Sequence, residues 1–241
     1  MKSSASRATH QAEQPGKQAR PVWLMSSGGK DSIAALIRLQ QSDQYIVAGL
    51  VTTFNPANRR VALHGTPLRL IEQQAALLQL PLHSIGIPHD CSNKDYERLV
   101  AEGLNGLQSS DRMLAFGDLF LDDIRAYREQ HCAAMGWQPV FPIWGLSTLP
   151  FSLQLMDQGV RAIICCVDLQ VLDASILGRE WNPSMLADLP QGVDPAGENG
   201  EFHTLVIDAP NMKAPLDWHA GHRQVVSHDR YCMLDLQSGA A

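Results

Sequence analysis

The sequence predicts an α/β fold built on a mainly parallel sheet, followed by a smaller second lobe. Apolar, strand-like runs alternate with segments of helical periodicity over residues 21–143, the pattern of strands joined by crossover helices. A glycine loop, Ser27-Gly28-Gly29, joins the first strand to the first helix. After Trp144 the alternation gives way to one strong strand and a long loop rich in proline and glycine.

In chain order, residues 22–25 read as a short buried strand and 32–41 as a helix with Ile33, Leu36, Ile37 and Gln40 on one face. Residues 45–53 form a second apolar strand. Leu68, Ile71, Ala75 and Leu78 mark a helix closed by Pro81. A third strand over 82–87, a helix over 94–107 and a fourth strand over 112–119 follow. Residues 122–135 are helical, with Ile124, Tyr127 and Cys132 roughly aligned, and 139–143 form a fifth strand. Beyond the boundary at 144, a helix over 149–158 leads to a strand over 161–169 and a short helix near 174–179. A loop carrying Pro183, Pro190, Gly192 and Pro195 then runs into a last strand over 205–208. A loop that long within a compact unit is more often functional than idle. The domain reading is therefore a tail over 1–20, a first domain over 21–143, a second lobe over 144–225 and a C-terminal tail over 226–241.

A chain of 241 residues suits a domain with a smaller companion. The formal charge is −6, but residues 1–20 carry a net +3, which leaves −9 on the rest. A body that acidic does not suit a general grip on nucleic-acid backbone. The five cysteines contain neither a Cys-x-x-Cys pair nor a secreted disulfide framework. Cys165 and Cys166 are neighbours in an apolar run, so on a strand they point to opposite faces as core residues. His219 and His222 have helical metal spacing but no carboxylate partner, and are assigned no site. Without a membrane-length apolar run or a signal-peptide core, the expected compartment is cytoplasmic.

A strand, a glycine loop and a helix bring backbone N–H groups and a helix N-terminus together on an anion. Glycines permit positive φ and close approach of the backbone to a ligand. Lys30 adds a mobile positive charge, Ser26, Ser27 and Ser32 offer hydroxyl donors, and Asp31 caps the helix or holds a magnesium ion. Two familiar phosphate loops fail on spacing. The nucleoside-triphosphate P-loop needs glycine where Leu24 stands, and the dinucleotide fingerprint needs a third glycine that is missing here. The plain alternative is a tight turn with a solvated lysine.

Ser27-Gly28-Gly29-Lys30-Asp31-Ser32 resembles the PP-loop of the N-type ATP pyrophosphatases. The resemblance implies that the loop grips pyrophosphate, that ATP is cut between its α- and β-phosphates, and that an adenylated substrate forms. Gly197-Glu198-Asn199-Gly200-Glu201-Phe202-His203-Thr204 is similar to the Gly-Glu-Gly-Gly-Glu-(Tyr/Phe)-x-Thr element of the diphthine–ammonia ligase family. His64, Gly117-Asp118, Pro142-Ile143-Trp144-Gly145 and Leu177-Gly178-Arg179 also match, so the likeness spans about residues 21–210. It implies a Rossmann-like domain of the adenine nucleotide alpha hydrolase type and a smaller α+β lobe. The implied activity is amidation of the diphthine carboxylate on translation elongation factor 2, with ATP, Mg2+ and ammonium, ammonia displacing AMP from an acyl adenylate. Asn199 stands where the family often has glycine, and His203 where glutamate is common. The segment 117–125 also differs from the family's usual form. These departures bear on the acceptor more than on the ATP chemistry.

The remaining candidates keep two readings each. Glu198 and Glu201 bind magnesium or orient ammonia as bases, or are solvated loop carboxylates. Asp118 contacts the ligand at the carboxyl edge of the sheet, or caps the following helix. His64 is a polar contact near the nucleotide or a loop histidine. Thr52 and Thr53 contact adenosine or simply end a strand. The catalytic set is thus Lys30, Asp118, Glu198 and Glu201. The nucleotide set is Ser26, Ser27, Gly28, Gly29, Lys30, Asp31, Ser32, Thr52 and His64, with Asp31 as metal ligand. Competing functions are another PP-loop enzyme, such as a tRNA-modifying one, and a non-catalytic nucleotide-binding module. No glutaminase segment is apparent, so free ammonium is the expected nitrogen source, and no membrane partner is expected.

Overall fold

The computed structural model describes residues 18–61, 64–107, 109–226 and 230–239. The first sheet contains β1 (Arg20–Met25), β2 (Tyr45–Phe54), β3 (Leu82–Gly86), β4 (Met113–Ala115) and β5 (Gln138–Val140). All neighbours are parallel, in the order β3-β2-β1-β4-β5. Four helices link them: α1 (Lys30–Gln40), α2 (Leu68–Leu77), α3 (Asn93–Asn105) and α4 (Asp122–Met135). The α/β alternation read from the sequence is the alternation in the fold.

Local chemistry explains the element ends. Ser92 caps α3 by accepting the Asp95 N–H at 3.1 Å. Gly136 closes α4 in the left-handed region at φ 70°. The helix α1 is buried on most sides rather than on one stripe, leaving Arg38 and Gln40 exposed. Gln40 therefore does not belong to the core face. The fourth strand is shorter than the expected 112–119. After Ala115 the chain leaves the ladder, with one last bond from Phe116 N–H to the Val140 carbonyl at 2.9 Å, and Gly117 and Asp118 are freed to line a cleft.

The second lobe contains α5 (Thr148–Asp157), β6 (Arg161–Asp168), a short 3₁₀ helix (Ala174–Ile176) and α6 (Pro183–Ala187). Then come β7 (Phe202–Asp208), β8 (Trp218–Val226) and β9 (Tyr231–Ser238), in an antiparallel sheet of order β7-β6-β9-β8. The long loop holds the unexpected α6, with Pro183 in its first turn and Asn182 accepting the Met185 N–H at 2.9 Å. The expected C-terminal tail over 226–241 needs correction. It contains β9, an interior strand whose Cys232, Leu234 and Leu236 are buried. Of the expected N-terminal tail over 1–20, residues 1–17 lie outside the described residues, and Arg20 already opens β1. Cys165 and Cys166 are buried on β6, and all five cysteines are free thiols. Burial pushes both thiols up, Cys166 to about 12. No helix among the described residues is long and apolar enough to cross a membrane.

Candidate active site

In an open parallel sheet, ligands bind beyond the carboxyl ends of the strands, where the winding reverses direction. Here the reversal lies between β1 and β4. A cavity of about 510 Å³ opens at that point, walled by the loops after β1, β2 and β4, by α3 and α4, and by the segment entering β7. Of the residues singled out in the sequence, Ser26, Ser27, Lys30, Asp31, Ser32, Thr52, Thr53, His64, Asp118 and Glu198 line it. Glu201 does not.

The glycine loop is shaped as a cradle. Gly28 has φ +80°, and a Cβ there would stand 2.5 Å from Ile71 Cδ1. Gly29 is extended at φ −80°, so only Gly28 needs the left-handed region. A Cβ on Gly29 would nevertheless press to 3.1 Å from the Thr204 carbonyl. Ser26 Oγ accepts the Gly28 N–H at 3.2 Å and donates to Ser32 Oγ at 3.2 Å, while Ser32 Oγ donates to the Gly29 carbonyl at 2.8 Å. These two hydroxyls brace the loop from inside, and Ser27 remains on the cavity wall.

The second lobe finishes the loop. Thr204 Oγ1 accepts the Lys30 N–H at 3.1 Å, capping an α1 whose own N-cap residue, Gly29, has no side chain. The Val206 N–H donates to the Gly28 carbonyl at 2.9 Å. Gln74, fully buried, donates to that carbonyl at 3.1 Å and to the Val206 carbonyl at 2.8 Å. Sequence reasoning missed Gln74 altogether. Thr204 could have been found, because it closes the second motif.

The charges in the cleft are coupled. Lys30 is not the mobile group its position suggested. It is 2% exposed, donates to both Asp31 carboxylate oxygens at 2.8 Å, and lies 5.5 and 5.7 Å from the Trp181 and Phe202 rings. Asp31 does not cap α1; burial raises its pKa despite the opposing pull of Lys30. Asp118 is not a helix cap either, since Leu121 occupies that position in α4 without a side-chain bond. Its carboxylate lies 3.6 Å from Arg128 Nε, and burial raises its pKa. Glu198 Oε1 accepts the Leu119 N–H at 2.8 Å. Burial, then the nearby Asp31, pushes Glu198 up to about 7.

Glu201 faces away from this group. Its Oε1 accepts the Asp194 N–H and the Asn199 side-chain N–H, both at 3.0 Å, so it braces the loop from inside. Gly200, at φ +87°, turns the chain between the two glutamates. Also lining the cavity, the His64 and His203 rings pack 4.5 Å apart. Burial holds His64 well below the usual histidine range, and burial with the Lys30 charge lowers His203 to about 4. Thr52 is 1% exposed, and its hydroxyl has no partner among the described residues. The other matched elements are structural. Arg179 pairs with Asp188 at 2.6 Å, and the Gly145 N–H donates to the Leu119 carbonyl at 2.7 Å, fixing the loop after β4.

The cradle, the amino end of α1 and the buried lysine fit the polyphosphate of ATP. Asp31, Asp118 and Glu198 offer the hard oxygen donors that magnesium prefers. Among the described residues no three ligating side chains converge on one point. An ion held here would take its other ligands from phosphate oxygens and water.

Comparison with protein-family models matches residues 20–139 to the diphthamide synthase N-terminal domain and residues 148–238 to the diphthamide synthase C-terminal domain. Comparison with curated proteins gives no match. The glycine cradle lies within the first match and the Glu198 loop within the second, and the cleft needs both. The chain belongs to the diphthamide synthase family, ATP-dependent ligases that join ammonia to diphthine.

Proposed function

We propose that the cleft runs the ligase reaction with a division of labour between the lobes: 21–143 binds ATP, and the lobe from 144 onward, β9 included, completes the site. The coupled charges of Lys30, Asp31, Asp118 and Glu198 around one glycine cradle carry this reading. The acceptor carboxylate oxygen attacks the α-phosphorus of ATP. The bond from that phosphorus to the bridging oxygen breaks, and pyrophosphate leaves with the electron pair. The loop from Ser26 to Ser32 holds the pyrophosphate through backbone N–H groups, Ser27 and Lys30. Asp31 would supply a carboxylate to a magnesium ion, which would neutralise phosphate charge.

Amidation follows at the acyl carbon. The ammonia lone pair forms the C–N bond, the C–O bond to AMP breaks, and AMP departs with that pair. Glu198 takes the proton released from nitrogen; a carboxylate poised near neutrality both holds a proton and returns it. Thr52 and His64 contact the nucleoside side of the cleft. Glu201 is assigned the loop rather than the chemistry. The acceptor is a diphthine side chain on a translation factor, which places the enzyme in the cytoplasm.

Product analysis tests the scheme. The enzyme, ATP, magnesium, ammonium and a diphthine-bearing acceptor should yield AMP and pyrophosphate, and ADP with phosphate would overturn it. Lys30→Ala removes a charge-assisted contact of roughly 1.5–3 kcal/mol, so ATP affinity or turnover should fall about tenfold or more.

A further inference from the structure

The helix α4 presents Ile124 and Arg128 to the cavity, beside its N-cap residue Leu121. Arg128 and Lys30 are the two Lys or Arg side chains among the cavity-lining residues, one from α4 and one from the start of α1. Lys30 is fixed beside the cradle by two hydrogen bonds to Asp31 at 2.8 Å and by the Trp181 and Phe202 rings. Arg128 is paired less closely. Its guanidinium lies 4.9 Å from the Phe116 ring and 3.6 Å from Asp118. Yet Arg128 Nε and Asp118 Oδ2, both buried, have no hydrogen-bond partner among the described residues. A guanidinium offers five donors in a rigid fork. Stacking fixes the plane of this one and leaves its fork underused, next to carboxylates whose charge draws it toward the cleft.

We propose that Arg128 is a second oxyanion clamp, facing the cradle, that grips an oxyanion of the reacting pair: the α-phosphate or the acceptor carboxylate. The inference rests on the ligase reading and adds a role to it. Adenylation brings two anions into bonding distance, and their repulsion must be offset where they meet. The cradle and Lys30 serve the pyrophosphate end, which leaves the α-phosphorus end without a cation from the first loop. Arg128 is the group available there. Asp118 is its resting partner, holding the fork in place until the oxyanion takes over. The clamp itself transfers no atom, electron pair or proton.

The test compares Arg128→Gln and Arg128→Lys with the unmodified enzyme. Calorimetry reads affinity for AMP and for pyrophosphate, and steady-state assays with ATP, ammonium and the diphthine-bearing acceptor read the acceptor KM and kcat. A clamp on the α-phosphate lowers AMP affinity about tenfold or more. A clamp on the carboxylate leaves AMP binding intact and raises the acceptor KM by a similar factor. Under either outcome pyrophosphate affinity stays within about twofold, and Lys restores less than half of the loss because it lacks the fork. Unchanged AMP affinity and acceptor KM would overturn the clamp, as would a parallel loss of pyrophosphate affinity, which marks a merely structural role. Arg128→Lys keeps the charge, so it carries the test if the Gln variant does not fold. ADP released by the unmodified enzyme would overturn the ligase chemistry and the clamp together. AMP release with indifferent Arg128 variants would overturn the clamp alone.

Discussion

Glu198 and Glu201 stand three positions apart yet face different environments, and their consequences differ accordingly. A base at Glu198 works only when deprotonated, and its pKa of about 7 places a rising limb of rate against pH near neutrality. Rate measurements from pH 5.5 to 8.5 should show that limb, and Glu198→Gln should abolish it with a loss of about 100-fold in turnover. Stability runs the other way. The folded state binds the Glu198 proton more tightly than the unfolded state, so this residue's contribution falls as pH rises from about 4.5 toward 7. The Gln variant, which still accepts the Leu119 N–H, should therefore gain in melting temperature on the wild type between pH 5 and pH 8. Glu201→Gln should leave the pH profile in place and lower stability, because its carboxylate serves two N–H donors of the loop. Sequence spacing placed both glutamates in one motif. It carried no information on which side of a glycine turn each would fall, since the left-handed Gly200 sets that in three dimensions.

Elements show the same division between what is local and what is not. The strand–helix alternation of the first sheet was legible because β1, β2 and β4 are near-continuous apolar runs and the segments between the strands carry apolar residues at helical spacing. The hairpin of β8 and β9 was not read. β8 is an edge strand with mostly exposed residues and no apolar alternation, and the alternation of Cys232, Leu234 and Leu236 in β9 is only three residues deep. The bracing of the glycine loop by β7 was illegible for another reason: its partners lie 174 positions apart. It can be tested directly. Thr204→Val keeps the size of the side chain and removes the oxygen that caps α1, so stability should fall by about 1 kcal/mol. AMP and pyrophosphate affinities should fall with it, and Thr204→Ser should restore both. Gly28→Ala combines a positive φ with a clash against Ile71, and thermal denaturation should show a loss of at least about 1–3 kcal/mol.

At the scale of the whole molecule, neither lobe is complete without the other. The first supplies the cradle and most of the carboxylates, and the second supplies Glu198, the cap on α1 and the strand that holds the Gly28 carbonyl. A fragment ending at 146 would leave Gln74 and that carbonyl without their partners and expose one side of α1. It should bind pyrophosphate at least about tenfold more weakly than the full chain, as calorimetry would show. The order of strands in the second sheet also has a bearing on how the molecule comes into being. The interior position beside β6 is filled by β9, which is synthesised after every other strand of either sheet. While the ribosome is still at work, β6 therefore has one bare edge, and the parallel sheet waits for its neighbour to settle. A premature stop just before β9 would not trim an end. It would remove an inner strand from the lobe that braces the glycine loop, and a chain with every residue of the proposed nucleotide set intact would be released without a stable site.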